Sequence, residues 1–470
     1  MESETTLKHS RGLIMAGLLI GSFVGMFSES ALNIALSQLM IDFSVSAATV
    51  QWLTTGYLLV VGIFLPMSGF FVQTFTTRQL LFTALSCFLL GLFTAAIAVS
   101  FPVLLLGRLI QGIATGILLP LVFNTALAIY PVERRGTAMG IIGLVVMFAP
   151  AIGPTVGGFI LGHLTWNWIF WCMLPVIIIA FIISAVFVEN VRPITKPKLD
   201  VHSLALSTVG FGLIVFGVSF AGDRGWNNVY VLVSLAVGAL ALILFCHRQL
   251  RLETPFLNIS AFKHFNFSLG TAMVFVDNAI LMSAVFLIPM YLQQGKSADI
   301  IIAGLLMLPG GIVNGIVSAF SGRLFDKHGA KLLTRIGFLI AVIGAFLLFC
   351  LDAGSPYYIM VLGHITLMIG APLAMSPAQT HGLNALPQSL SSDGSCIVST
   401  LQQIAGAIGT ALAASFMYYG EQTYSGPDAV EAIISGVKLG FALPLSLACI
   451  GFLLSLKIGT KKLSVGTTND

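Results

Sequence analysis

Two carboxyl groups and one guanidinium are the side chains of this sequence best placed to do chemistry. Glu29 sits within residues 27–33, inside a run that is otherwise apolar from 12 to 36. Asp277 sits in a comparable run in the second half, and Arg108 is the basic residue that falls inside an apolar run. A charge at a bilayer centre costs about 3 kcal/mol or more, so each needs a reason to be there. Burial disfavours the charged form of a carboxyl. A carboxyl whose cavity opens to each side of a membrane in turn can therefore take up a proton on one side and release it on the other. An arginine keeps its charge and must be paired or hydrated. The chemistry expected of this set is proton exchange coupled to substrate binding. The competing reading for each acid is a structural carboxylate bonded to a neighbouring base or hydroxyl.

The elements that must position these groups are long apolar helices. The chain has 470 residues, of which 57% are hydrophobic and only 9% charged, against about 25% charged in a soluble protein. Mean hydropathy is +0.99. Apolar runs of roughly 20 residues recur along the whole length, each long enough for a hydrocarbon core of about 30 Å. They are continuous rather than alternating, which excludes the short tilted strands of a barrel. Fourteen spans are expected, near 12–36, 49–71, 79–99, 102–126, 137–160, 168–188, 203–221, 228–246, 268–292, 300–321, 333–351, 355–378, 395–418 and 436–457. The first run has no small-residue cleavage site and reads as a helix rather than a secretory signal. The fold class is thus an all-α polytopic membrane protein with no soluble domain of useful size.

Charge placement predicts the orientation. With the N-terminus cytoplasmic and strict alternation, 18 of the 22 Lys and Arg fall on the inside. Arg224, Lys296 and Lys438 fall outside, and Arg108 lies within a span. That asymmetry is a strong positive-inside signal and places both termini in the cytoplasm. Six spans precede the basic linker at 189–202, and six follow the linker around 247–267. The expected organisation is a six-helix bundle at 1–190, linkers with two additional helices at 191–265, and a second six-helix bundle with a short tail at 266–470. Each bundle carries one acid in its first helix. Transporters built from two such halves place their binding site at the interface.

Helix rise converts sequence position into depth. Glu29 lies 17 residues beyond Gly12, about 25 Å along the axis and towards the outer leaflet. Asp277, nine residues past Ser268, lies about 14 Å in, near mid-membrane. Arg108 sits about 10 Å from the outer end of its helix, close to the depth of Glu29. A Glu29–Arg108 interaction is expected from that coincidence. Residues 149–158 hold Pro150, Gly153, Pro154, Gly157 and Gly158, which permit close helix approach and bend the axis. They read as a packing and hinge element.

Several stretches, in order, carry a resemblance. Residues 149–158 resemble the antiporter motif of the major facilitator superfamily, g-x-x-x-G-P-x-x-G-G. Gly107-Arg108-Leu109-Ile110-Gln111-Gly112 resembles that superfamily's R-x-x-q-G motif. Glu29-Ser30-Ala31-Leu32-Asn33-Ile34-Ala35-Leu36 resembles the first-helix motif of fourteen-span drug:proton antiporters, D-x-T-x-x-N-x-A-L-P. Gly322-Arg323-Leu324-Phe325-Asp326-Lys327-His328-Gly329 resembles the cytoplasmic gating loop, G-x-L-a-D-r-x-G. Residues 402–409 read similarly, so the resemblance covers almost the whole chain. It departs in places: the first-helix acid is Glu rather than Asp, the closing proline is Ser37, and the first-half gating loop is degraded, with Gln73 for the acid and Thr76 for the glycine. An inner gate held by charge pairs is therefore expected to lean on Arg323, Asp326 and Lys327, with Gly322 at the turn.

The resemblance implies a proton-coupled antiporter that exports lipophilic, often cationic, drugs across the plasma membrane by alternating access. Glu29 and Asp277 become proton and substrate sites, Arg108 the modulator of Glu29, and Gly153, Pro154, Gly157 and Gly158 the interface that bends. Other polar groups in spans, Asn33, Gln51, Tyr57, Asn124, Asn278, Asn314, His364, Gln402 and Gln403, are candidates to line a cavity or to bond across helices. The expected partners are protons, a drug-like small molecule and the lipid bilayer. No nucleic acid and no obligatory protein partner are expected, and no cofactor.

Enzyme chemistry finds no support in the sequence. There is no H-E-x-x-H and no G-x-S-x-G, and Gly295-Lys296-Ser297 lacks the glycine five residues earlier that a phosphate loop needs. The six cysteines sit in or beside apolar runs, with spacings that suit neither zinc nor a disulfide framework. Without ATP-hydrolysing machinery the energy must come from a gradient, in which 100 mV is worth about 2.3 kcal/mol per charge moved. The alternatives are an exporter of one physiological solute (a lipid precursor, amino acid or signalling nucleotide), a proton-driven importer, or a non-transporting sensor.

Overall fold

The computed structural model describes residues 11–130, 132–191, 200–252, 255, 257–387 and 390–459. Among them the regular structure is helical throughout: α1 (Arg11–Asn33), α2 (Leu36–Asp42), α3 (Ala47–Val50), α4 (Trp52–Thr74), α5 (Thr77–Ala96), α6 (Phe101–Ile129), α7 (Val132–His163), α8 (Asn167–Phe187), α9 (Val201–Arg224), α10 (Val229–Arg251), α11 (Phe265–Met290), α12 (Ile300–Phe349), α13 (Tyr357–Asn384), α14 (Ser391–Thr423) and α15 (Ala429–Ser455). A 3-10 turn, Ile259–Lys263, precedes α11, and a π turn, Tyr291–Gly295, extends it. Thirteen segments among the described residues are long and apolar enough to cross a membrane. Each of the fourteen expected runs falls on a helix. The run not among the thirteen is α7, where many side chains of the first half lie outside the described residues.

Local chemistry sets the ends of these helices. Thr76 and Gln79 close a reciprocal capping box at the start of α5, satisfying two backbone N–H groups that the helix leaves free. Pro102 sits in the first turn of α6, where a missing N–H costs nothing. Two boundaries differ from expectation. The first run does not continue to residue 36: α1 stops at Asn33 and a short α2 starts afresh at Leu36. The charged segment at 322–332 is not a loop. Helix α12 runs through Arg323 and Lys327, and the chain reverses only at Gly329, whose φ of +75° is a conformation that favours glycine. Charged side chains at a membrane boundary reach water without leaving the helix, so polarity there did not require a break. The linker at 192–199 and the side chains of Gln73 and Asp326 lie outside the described residues.

Helix α12 folds back on itself at Gly329, and α7 packs on both α1 and α12. For description, α1 and α4–α8 are termed the first unit and α11–α15 the second. The units meet along two main seams, α7 against α12 and α4 against α14. Four hydrogen bonds cross between them at the end where α1 finishes and α12 begins, termed here the far end. Gln293 Nε2 donates to Ile34 O at 2.9 Å, and Thr155 Oγ1 donates to Gly304 O at 3.0 Å. Ser37 Oγ donates to Met290 Sδ at 3.5 Å, and Gln294 Nε2 to Met40 Sδ at 3.4 Å. Ser37, which departs from the motif, thus supplies a donor that proline lacks.

Candidate functional site

In the first unit the expected residues converge on a polar cluster shared by α1, α4 and α6. Arg108 is fully buried near the start of α6. Its Nη1 donates to Ser28 Oγ at 2.9 Å and to Gln111 Oε1 at 2.8 Å, and its Nε donates to Leu53 O at 3.2 Å. The guanidinium lies 4.3 Å from the centroid of the Tyr57 ring, within the range of a cation–π contact. Tyr57 is itself fixed: its hydroxyl donates to Gly25 O at 3.1 Å and lies 2.8 Å from Thr115 Oγ1. Ser28 Oγ also reaches Gln111 Oε1, at 3.1 Å. Arg108 Nη2 and Gln111 Nε2 are buried without a hydrogen-bond partner among the described residues.

Glu29 belongs to this cluster but is not the direct partner of Arg108. It is 7% exposed and interacts with the guanidinium electrostatically, while Ser28 and Gln111 accept the hydrogen bonds. Consecutive residues of a helix point about 100° apart, so Ser28 turns to α6 and Glu29 does not. Glu29 instead shares a side of α1 with Asn33, one turn on. Asn33 Oδ1 accepts from Thr54 Oγ1 of α4 at 2.9 Å, and Gln51 Nε2 donates to Thr55 one turn along. The expected Glu29–Arg108 interaction is thus electrostatic, without a direct hydrogen bond among the described residues.

The glycines of α7 frame the acid's other flank. A methyl group on Gly153 would collide with Ser30 Oγ, and one on Gly157 would come within 2.8 Å of Ala31 O. Helix α7 therefore lies directly against α1 beside Glu29. A methyl on Gly158 would lie 2.8 Å from Ile300 O, and one on Gly304 would lie 2.7 Å from Pro154 O. One short stretch of α7 thus packs on α1 with one face and on α12 with another, backbone against backbone.

The second unit is arranged differently. Asp277 lies at the middle of α11, 12 residues after Phe265 and 13 before Met290. It is 0% exposed, and neither carboxyl oxygen has a hydrogen-bond partner among the described residues. Seven residues earlier, almost on the same side, Gly270 abuts Ala378 O and Gly382 of α13, so Asp277 lies on the α13 side of α11. Its neighbour Asn278 turns to α14 and donates from Nδ2 to Gln402 O at 2.6 Å. Asn314 Nδ2 reaches Met368 O only at 3.5 Å, and Asn124 Nδ2 donates to Pro120 O within its own helix at 3.0 Å. His364 is buried against Gly310, with Nδ1 unpartnered among the described residues. At the near end Gly322, Arg323 and Lys327 are exposed. The Arg323 guanidinium lies 6.0 Å from the Phe320 ring centroid rather than in an ion pair among the described residues.

The residues that sequence reasoning did not single out are Ser28, Thr54 and Thr115, while Gln111 entered only as part of the R-x-x-q-G resemblance. Gln111 follows Arg108 by three positions and Thr115 follows Gln111 by four, the spacing of one helix face. That spacing was the available signal. Among the described residues no group of three or more His, Cys, Asp or Glu could hold a metal ion.

Comparison with known proteins gives this geometry a context. Residues 18–410 match the family model described as Major Facilitator Superfamily. A lincomycin resistance protein LmrB of Listeria innocua is 48% identical over 456 residues, covering 96% of this chain and 97% of that protein. The LmrB of Bacillus subtilis is 48% identical over 464 residues with the same coverage. Among solved structures, a peptide transporter POT in complex with sulfate superposes with a TM-score of 0.70 at 16% identity, over 95% of this chain and 93% of that one. That likeness shows the fold alone. With its many apolar helices and its full-length relatives, the chain is a multi-pass protein of the cell membrane and belongs to the major facilitator superfamily.

Proposed function

We propose that this chain is a fourteen-span, proton-coupled antiporter that exports lipophilic, often cationic, drugs by alternating access. Helix α7 is counted as the fourteenth span, both termini lie in the cytoplasm, and the far end is extracellular. The export of drugs is supported by the full-length likeness to proteins named for lincomycin resistance. The two units at 1–190 and 266–470 rock about their seams, with α9 and α10 between them in sequence. The bonds described at the far end then close the extracellular side in this state.

The observation that carries proton coupling is Asp277, an acid at the middle of a spanning helix with no partner for either oxygen among the described residues. An ionised carboxylate there would be uncompensated, so the neutral acid is the form that suits this closed state. Opening to the cytoplasm releases the proton and leaves a negative site that attracts a cationic or donor-rich substrate. Opening to the outside reprotonates the acid and expels that substrate. Glu29, held near Arg108, contributes to substrate contact and to the same charge balance. The polar groups of Asn33, Gln51, Tyr57, Asn314 and Gln402 are proposed to border the path. Gly153, Pro154, Gly157 and Gly158 form the bending seam, and Gly322, Arg323, Asp326 and Lys327 the cytoplasmic gate.

The test is transport in liposomes with an imposed pH gradient. Wild-type protein should move lincomycin or a lipophilic cation uphill only when the gradient is present, and Asp277→Asn should not. Equal uphill movement by both would overturn the proton role of Asp277. Movement without any dependence on the gradient would overturn coupling.

A further inference from the structure

The paired helices α9 and α10 stand outside the two six-helix units, yet they are not loosely attached. Helix α9 packs chiefly on α14, and also on α4 and α3. It therefore lies across the α4/α14 seam and touches both units. At the centre of this contact is a separate apolar cluster, with Tyr57, Leu58, Val61 and Leu65 from α4, Val215 from α9, and Ile404 and Ala407 from α14. Phe216 of α9 lies 5.8 Å from the ring of Trp52 at the start of α4.

The two sides of this contact differ in how they are anchored. Towards the first unit, what α9 offers is apolar surface, Val215 and Phe216. Its contact with α14 in this cluster is also apolar, but the base of the pair is tied internally by polar groups, and the chain leaving it is anchored on α11 and α14. Asp200 caps α9 and accepts from Arg248 Nε at 3.1 Å and Nη2 at 2.9 Å, locking the start of α9 to the end of α10. Gln249 donates to Ser203 and accepts from the backbone N–H of Leu257 at 3.1 Å. The chain then enters the turn Ile259–Lys263, which packs on α11 and α14 with Ala261 fully buried. The backbone N–H of Asn258 bonds to Asp393 at the start of α14, and Phe262 lies 5.5 Å from Phe267 of α11.

We infer that α9 and α10, with the segment running to Lys263, form a rigid part of the second unit, and that α9 is a sliding seal over the α4/α14 seam. Hydrogen bonds have preferred directions and must break when their partners move, whereas apolar surfaces exchange one contact for another at little cost. When the units rock, α4 slips beneath α9 while α9 keeps its place on α14. The seam it covers stays closed to lipid throughout.

The inference rests on the alternating-access reading, and one experiment separates the two. Spin labels are placed pairwise at the exposed positions His202 of α9 and Leu332 of α12, or His202 and Phe75 of the first unit, in protein whose six native cysteines are replaced. Distances are measured in proteoliposomes with and without a pH gradient. The 202–332 distance should hold, and the 202–75 distance should shift by several ångströms. The reverse pattern would overturn the seal. Two invariant distances would overturn alternating access and the seal with it. As a second measurement, a disulfide between Trp52→Cys and Phe216→Cys should stop transport until it is reduced. One between Val215→Cys and Ala407→Cys should leave transport running. Loss of transport only in the second pair would place α9 with the first unit instead.

Discussion

The acids of two apolar helices, Glu29 of α1 and Asp277 of α11, have opposite surroundings. Glu29 lies beside a dense network in which Arg108, Ser28, Gln111, Tyr57 and Thr115 fix one another. Asp277 has no hydrogen-bond partner among the described residues, and the side-chain amide next door faces another helix. Each carboxyl changes the charge of its site by one unit on ionising, but beside a cation the product is a neutral pair, whereas without one it is an uncompensated buried negative charge. The contrast teaches that two buried acids in apolar helices need not share their chemistry: α1 sets its acid near a cation, and α11 holds the group whose ionisation has the larger consequence.

Several substitutions break or sharpen that contrast. The largest effect is expected from Asp277→Asn, which should abolish uphill transport in liposomes. Glu29→Gln should leave it reduced about tenfold, the equivalent of about 1.4 kcal/mol. If the two variants are equally impaired, the asymmetry has no functional meaning. Stability should rank the sites the other way. Arg108→Leu leaves Glu29 without its cation and strands Ser28, Gln111 and Leu53 O, at a cost of about 3–5 kcal/mol for breaking a buried charged network. Its unfolding midpoint in detergent should fall sharply. Asp277→Asn, which removes no bond described here, should unfold close to wild type, and a large drop for it would mean that its carboxyl has a structural partner.

Smaller effects probe the surroundings. Gly304→Leu inserts a side chain against the Pro154 carbonyl, and overpacking of this sort costs about 1–3 kcal/mol. Export should slow while substrate binding is retained, because the variant obstructs the α7/α12 seam rather than either acid. Loss of binding would instead tie that seam to the binding pocket. The smallest effect is expected at Asp200, an acid that is paired but within reach of water. Its hydrogen bonds from Arg248, then from Ser203, lower its pKa from 3.8 to about 2. A depressed carboxyl pKa stabilises the fold above about pH 4, and that contribution fades as pH falls towards 2. The Arg248 side chain is 38% exposed, so solvent screening limits the pair to about 0.2–1 kcal/mol. Asp200→Asn should therefore lower stability slightly at pH 7 and not at all near pH 2. A penalty that persists at low pH would assign the effect to the helix cap rather than to the charge.

Much of the fold was legible because the bilayer leaves few choices. A run of some twenty apolar residues can only be a spanning helix when the sequence does not alternate, and the expected runs lie on helices. The misread boundaries fall where that constraint ends. The charges at 323–331 signalled an end to the membrane, but a helix can leave the membrane without stopping. The reversal had to wait for Gly329, the second of two glycines in residues 322–332. The site was legible as a nearness of Glu29 to Arg108 and not as a set of hydrogen bonds. Position along a helix placed Glu29 and Arg108 at one level, whereas the side each faces depends on how α1 is rotated against α6, and that is decided by Gly25, Ser28 and Thr115 together. Single hydroxyls such as Ser28 carry no signal of their own in a helix rich in small residues.

The complete enclosure of Asp277 has a kinetic consequence. Proton exchange with water is otherwise fast, so an acid that bulk solvent can always reach would short-circuit any gradient across the membrane. With no part of Asp277 at the surface, its exchange can be no faster than the opening of the helices around it. Under the proposed proton coupling, the packing of α11 and its neighbours acts as a clock on the acid: idle protein would leak little, and each proton that crosses would be counted by one conformational event.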